Sequence, residues 1–223
     1  MQANGSSLVS TKMRSKDCSG NRIAGEGIKT IGIVGAGTKG RELAAFALLG
    51  GFRVILEDVS SNRLAKSKAY IASMLDAASA AGKAGVRRAE ELADKMSITQ
   101  SVDEVSRGAD LLIEAAPEDA ELQLEIFTIF DKFAKPGTIL ASTARSVSVA
   151  DLSEMISCPE RCVGIVVPSE SSRRGSIRII RTEKTSQRSV DICAAFARRL
   201  GFDPEIVSES ATSIGSAQEI ARL

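Results

Sequence analysis

The chain has 223 residues, 43% hydrophobic and 26% charged, with a formal net charge of +1; that is enough for one full α/β domain and little more. Balanced charge gives no reason to expect nucleic acid as a partner, and no apolar run approaches the ~20 residues that span a bilayer, so a cytoplasmic protein is expected. There is no histidine, which removes every mechanism that needs an imidazole base.

Met1 to Gly27 is rich in Ser, Gly and Asn without apolar periodicity and reads as a disordered leader. Lys29 to Val34 is a short apolar strand, followed by Gly35-Ala36-Gly37-Thr38-Lys39-Gly40 and an apolar-periodic helix from Thr38 to about Leu49. Phe52 to Leu56 is a second strand ending in Glu57-Asp58. A long helix is predicted over Asn62 to Ala81, a break at Gly82 to Gly85, a second helix over Val86 to Met96, and a short strand at Ser97 to Thr99. A helical hairpin therefore separates the second and third strands. Asp110 to Ala115, Thr138 to Ser142, Cys162 to Val167 and Ile177 to Ile180 read as further strands, with helices at Ala120 to Lys132, Ala150 to Ile156 and Thr185 to Leu200. The last of these ends at Gly201, a predicted C′ glycine. Glu205 to Val207 is a candidate final strand, and the stretch from Ser213 is predicted helical. The alternation defines an α/β fold with a doubly wound, Rossmann-type sheet.

A strand running into GxGxxG at the start of a helix is the dinucleotide-binding fingerprint in its proper context. Gly35 permits the tight turn, Gly37 lets backbone approach a pyrophosphate, and Gly40 lets the helix pack closely on its strand. The free N–H groups and positive dipole end of that helix then face the anion. Asp58 falls roughly ~20 residues beyond the glycines, where an acid accepts hydrogen bonds from the adenosine ribose. Gly35, Gly37, Thr38, Lys39, Gly40 and Asp58 are accordingly the candidate cofactor-binding residues, and NAD the expected cofactor. Cys18, Cys158, Cys162 and Cys193 show no CxxC spacing, so a metal site is not expected. Reduced thiols are the simpler reading.

The segments IKTIGIVGAGTKGRELA, VILEDVS, ADLLIEAAPEDAEL, PGTILAS and PERCVGI, in this order and with the helical hairpin between them, resemble the NAD-binding domain of the 3-hydroxyacyl-CoA dehydrogenases. The resemblance implies hydride transfer from the 3-hydroxyl of an acyl-CoA to NAD, and a helical second domain that this sequence is expected to lack. Glu118 matches a family carboxylate near the cofactor and is expected either to touch the nicotinamide ribose or to serve as a helix N-terminal acid.

The resemblance also marks departures. The family's histidine base corresponds to Val166, the glutamate that orients it to Arg178, and the serine that binds the substrate hydroxyl to Arg145. Two family asparagines become Ser169 and Ala221, and a lysine near the nicotinamide becomes Gln123. Valine cannot take a proton, and arginine stays protonated at neutral pH. No catalytic residue is therefore assigned. Three readings stand: an NAD(H)-binding protein without the family's reaction, acting as a sensor or as a subunit of a homo-oligomer or of a partner's assembly; a divergent NAD-dependent oxidoreductase acting on a hydroxyacyl-CoA or on a small anionic hydroxy acid held by Arg145 and Arg178; and a folded remnant that binds nothing.

Overall fold

The computed structural model describes residues 27–81, 89–143, 145–168 and 175–209. The leader up to residue 26 and the helix predicted from Ser213 lie outside them. Strands β1 (Thr30–Val34), β2 (Arg53–Glu57), β3 (Met96–Thr99), β4 (Leu111–Glu114), β5 (Ile139–Ser142), β6 (Cys162–Val166), β7 (Ser176–Arg181) and β8 (Asp203–Ser208) form one sheet. Their order is β3-β2-β1-β4-β5-β6-β7-β8. The first six run parallel; β7 lies antiparallel to β6, and β8 runs parallel to β7. β1, TIGIV, is buried throughout, as a central parallel strand covered on both faces must be. Chain order reverses between β1 and β4, the topological switch point at which doubly wound sheets open a crevice for ligands.

The helices are α1 (Thr38–Leu49), α2 (Ser61–Ala80), α3 (Ala89–Ala93), α4 (Val102–Gly108), α5 (Ala120–Phe133), α6 (Val149–Glu154) and α7 (Gln187–Arg199). One core cluster joins α1, α2 and α7 to one face of the sheet through Leu43, Leu48, Ile71, Leu75 and Phe196. The other joins α4, α5 and α6 to the opposite face through Val105, Phe127, Phe130 and Leu152. Gly201, with φ of +88°, follows α7 as predicted, and its N–H donates to the Arg198 carbonyl.

Three expectations need correction. α4 was not predicted: seven residues, VDEVSRG, are too few and too polar to show helical periodicity. It forms because it packs on β1, where a Cβ on Gly32 would stand 2.8 Å from Val105, Ala109 and Leu112. The second helix of the hairpin ends at Ala93 rather than at Met96, because the backbone from Met96 pairs with Val54 of β2 and joins the sheet; its predicted start at Val86 lies outside the described residues. Cys162 and Cys193 are free thiols, and burial pushes both up to about 12. Cys158, however, is disulfide-bonded, against the expectation of reduced thiols, since spacing alone does not report pairing. Among the described residues no helix is long and apolar enough to cross a membrane, and no cluster of three metal-ligating side chains occurs.

Candidate dinucleotide site

The glycine loop is set by backbone geometry. Gly35 has φ of +102°, a region that side chains strongly disfavour, and its N–H donates to the Glu57 carbonyl at 2.9 Å. A Cβ there would meet the Ala115 carbonyl oxygen at 2.5 Å. At Gly40 a Cβ would stand 1.8 Å from the Gly35 oxygen, so α1 rests directly on the turn. At Gly37 a Cβ would meet nothing within 4 Å, which leaves an open approach to the start of the helix. Gly37 is also the N-cap of the twelve-residue α1, with no side-chain cap and no acid in the first turn. The leading N–H groups are thus left for an external anion. These features fit a pyrophosphate.

Asp58 is buried at the end of β2, 3% exposed. Its Oδ2 accepts from the Ala36 N–H at 2.9 Å and from Arg63 Nη1 at 3.0 Å, and Oδ1 accepts from the Ser60 N–H at 2.9 Å. One acid therefore fixes both the glycine loop and the start of α2. A carboxylate offers about four lone-pair sites, which leaves one for a ribose hydroxyl. Ser67, buried on the inner face of α2, donates its hydroxyl to the Ala36 carbonyl at 2.6 Å and holds the loop from the other side. Sequence reasoning missed Ser67; the available signal was a hydroxyl on the same helical stripe as Leu64, Ile71 and Leu75.

Lys39 and Glu118, predicted separately, form a pair at 2.8 Å. Glu118 also accepts from the backbone N–H groups of Arg145 at 2.9 Å and Ser146 at 3.2 Å, and from the Ser146 hydroxyl at 3.1 Å. Partial burial works against its charge, but the Lys39 ammonium and the Arg145 and Ser146 donors outweigh that and hold its carboxyl down at about 2. Glu118 thus ties α1 to the loop after β5. Gln123 is fully buried, donating to the Pro117 carbonyl at 3.1 Å, and its Oε1 lies 2.8 Å from the Ser146 hydroxyl, whose single proton it shares with Glu118. Beside them Glu114 accepts from the Ser142 hydroxyl and the Ala116 N–H, both at 2.6 Å. Burial pushes its carboxyl up, against the pull of those donors.

Val166 and Arg178 are direct register partners across the antiparallel β6–β7 pair. The two positions that the resemblance assigns to a base and its orienting acid are neighbours in space, occupied here by an apolar and a cationic side chain. Arg145 is exposed at the C-terminal end of β5. Ser169 and Ala221 lie outside the described residues.

A positive-φ turn, an uncapped helix start at the switch point and an acid ending the second strand define a dinucleotide-binding Rossmann domain. Residues 30–210 match the family described as 3-hydroxyacyl-CoA dehydrogenase, NAD binding domain, and the chain belongs to that family. NAD is the cofactor of this domain. The chain is 29% identical over 189 residues to a 5-formyl-3-hydroxy-2-methylpyridine 4-carboxylate 5-dehydrogenase from Mesorhizobium japonicum, covering 82% of this chain and 58% of the relative. It is 31% identical over 175 residues to a 3-hydroxybutyryl-CoA dehydrogenase from Bradyrhizobium diazoefficiens, covering 78% and 59%. The crystal structure of an (S)-3-hydroxybutyryl-CoA dehydrogenase from Ralstonia eutropha is similar with a TM-score of 0.75 at 28% identity, covering 82% of this chain and 64% of that one. The chain thus spans less than two thirds of the length of these relatives.

Proposed function

We propose that this protein binds NAD(H) through the loop at residues 35–40 and does not by itself carry out the 3-hydroxyl oxidation of its family. The observation that supports this most directly is the contrast within one sheet. The cofactor end has the required backbone geometry, whereas the paired positions at the β6–β7 end are Val166 and Arg178. Oxidation of an alcohol by hydride transfer needs a proton acceptor at the hydroxyl, and a positioned one is worth roughly 10²- to 10⁴-fold. When bound, NAD supplies the hydride acceptor. The chain's own residues seat the pyrophosphate on the α1 N–H groups, hold a ribose on Asp58, and brace the nicotinamide side through the Lys39–Glu118 pair. With 3-hydroxybutyryl-CoA and NAD, NADH formation is expected to stay at the no-enzyme background. A rate clearly above background that disappears in Gly37→Val overturns this reading.

Asp58 also sets the expected cofactor preference. Its carboxylate faces the position of a 2′-phosphate, and each 1.4 kcal/mol or so of repulsion is about a tenfold preference. NADH is expected to bind at least about tenfold more tightly than NADPH. The chain has no tryptophan, so the fluorescence of the bound dihydronicotinamide reports directly. Equal or tighter binding of NADPH would mean that Arg63, half-exposed beside Asp58, reads the phosphate instead.

A second reading keeps an enzyme: an oxidoreductase acting on a small anionic substrate held by Arg145 and Arg178, with the base supplied by a partner chain. It is favoured by the name of one relative, which acts on a pyridine carboxylate. NADH production from a panel of hydroxy carboxylates, lost in Arg178→Leu, would select it.

A further inference from the structure

The last register level at the C-terminal edge of the parallel strands runs Thr99, Glu57, Val34, Glu114, Ser142 across β3, β2, β1, β4 and β5. A dinucleotide with its pyrophosphate at Gly37 and its adenosine ribose at Asp58 has one half over β1 and β2. Its nicotinamide half must then lie across the switch point, over the ends of β4, β5 and β6. The adenosine side carries the acids Glu57 and Asp58, whereas the nicotinamide side carries the guanidinium groups of Arg145 and Arg178.

Register fixes where Arg178 stands. Ser142, the last residue of β5, pairs with Gly164, and Val166 lies two residues further on at the end of β6. Two residues of strand rise about 6–7 Å, and alternate residues share a face. Val166 and its cross-strand partner Arg178 therefore stand one pleat beyond Ser142, on the face of the sheet that carries Glu114. The half-buried Arg178 side chain has no hydrogen bond or ion pair among the described residues. Glu205, its register partner on β8, accepts instead from the Ser176 hydroxyl at 2.9 Å. The acids on the nicotinamide side are also committed elsewhere. Glu118 is paired with Lys39 at 2.8 Å, and Glu114, whose carboxyl burial pushes up, accepts from Ser142 and Ala116.

A guanidinium stays charged at any pH at which the protein is folded. The two redox forms of the cofactor differ by one charge: the oxidised nicotinamide ring is a cation, and the reduced ring is neutral. Repulsion between like charges in a partly buried crevice is worth roughly fivefold to tenfold in affinity. We infer that Arg178 makes this a redox-selective site, one that takes NADH and disfavours NAD⁺, with the exposed Arg145 adding to the same field. The inference rests on the dinucleotide-binding reading and gives it a use that needs no proton acceptor, because the site reads the reduced form of the cofactor without turning it over.

The test follows the fluorescence of bound NADH, with NAD⁺ and ADP-ribose titrated as competitors at low ionic strength. ADP-ribose keeps the pyrophosphate and the adenosine but has no nicotinamide ring. Wild type is expected to bind NADH about tenfold or more tightly than NAD⁺. In Arg178→Leu, NAD⁺ should gain about fivefold in affinity, while NADH and ADP-ribose each stay within about twofold of wild type. Arg178→Lys keeps the charge and should keep the wild-type ratio. A gain confined to the cationic ring is not what a packing defect produces. An unchanged ratio of NADH to NAD⁺ binding in Arg178→Leu, or three ligands that shift together, overturns this inference and leaves NAD binding intact. Wild type that binds none of the three overturns the underlying reading and this one with it. Melting curves establish that each variant is folded; should Arg178→Leu unfold, Arg178→Gln, neutral but polar, decides by the same ratio.

Discussion

Gly37→Val is expected to weaken NADH binding by more than about 100-fold, roughly 2.7 kcal/mol, in a protein that remains folded. The free protein has room for the side chain, since a Cβ at this position meets nothing within 4 Å. The backbone also permits it, with φ of −71° and ψ of −168°. Valine is a poorer N-cap than glycine, so stability should fall by no more than about 1 kcal/mol. The open volume is the approach of the pyrophosphate to the first N–H groups of α1, and an isopropyl group there keeps the phosphates at a distance. Gly40→Val is the contrasting case. Its Cβ would lie 1.8 Å from the Gly35 carbonyl oxygen, and α1 would have to lift from β1 to accommodate it. That should cost more than about 4 kcal/mol, a large share of the stability of an ordinary domain. Thermal melts and NADH titrations on the two variants separate binding from folding. A Gly37→Val protein that binds NADH like wild type would reduce the loop to a purely structural turn.

Glu57→Gln is expected to stabilise the protein above neutral pH by about 1–3 kcal/mol and to leave it nearly unchanged near pH 5. Glu57 has an ordinary value of 4.5 when unfolded and about 7 when folded, because burial and then the neighbouring Asp58 charge both disfavour its anion. Between those values the folded state holds a proton that the unfolded state has released. Unfolding free energy therefore falls as pH rises from about 4.5 to about 7 and is flat beyond, with a ceiling of about 3 kcal/mol for this one group. Glutamine has no proton to lose, so its curve should lack this component. Urea unfolding of both proteins at about pH 5 and about pH 8.5 measures the difference, and all other titrating groups are common to the two. Parallel pH profiles would show that the folded protein does not penalise the Glu57 anion.

The glycine turn, its helix, the acid at the end of the second strand and the order of most elements were legible in the sequence because each is a local signal. A positive-φ turn demands glycine, an amphipathic helix repeats every 3.6 residues, and a buried parallel strand is a continuous apolar run. The glycine turn and Asp58 also pointed to the dinucleotide, while the family came from the resemblance of whole segments in unbroken order. What the tertiary structure decided involves partners far apart in the chain. Glu118 meets Lys39 and the Arg145 backbone, Ser67 reaches back to Ala36, and Val166 faces Arg178 only once β7 turns antiparallel to β6. α4 is visible only in the assembled fold, since its apolar side chains meet the sheet and α5 rather than repeat along its own length. Glu57 shows the limit most clearly. In sequence it is one more acid beside Asp58, and only the pairing of five strands places it in a buried row with an oxygen left unbonded. Residue type and short-range period fix the local backbone, whereas hydrogen-bond satisfaction belongs to contacts that close across the whole domain.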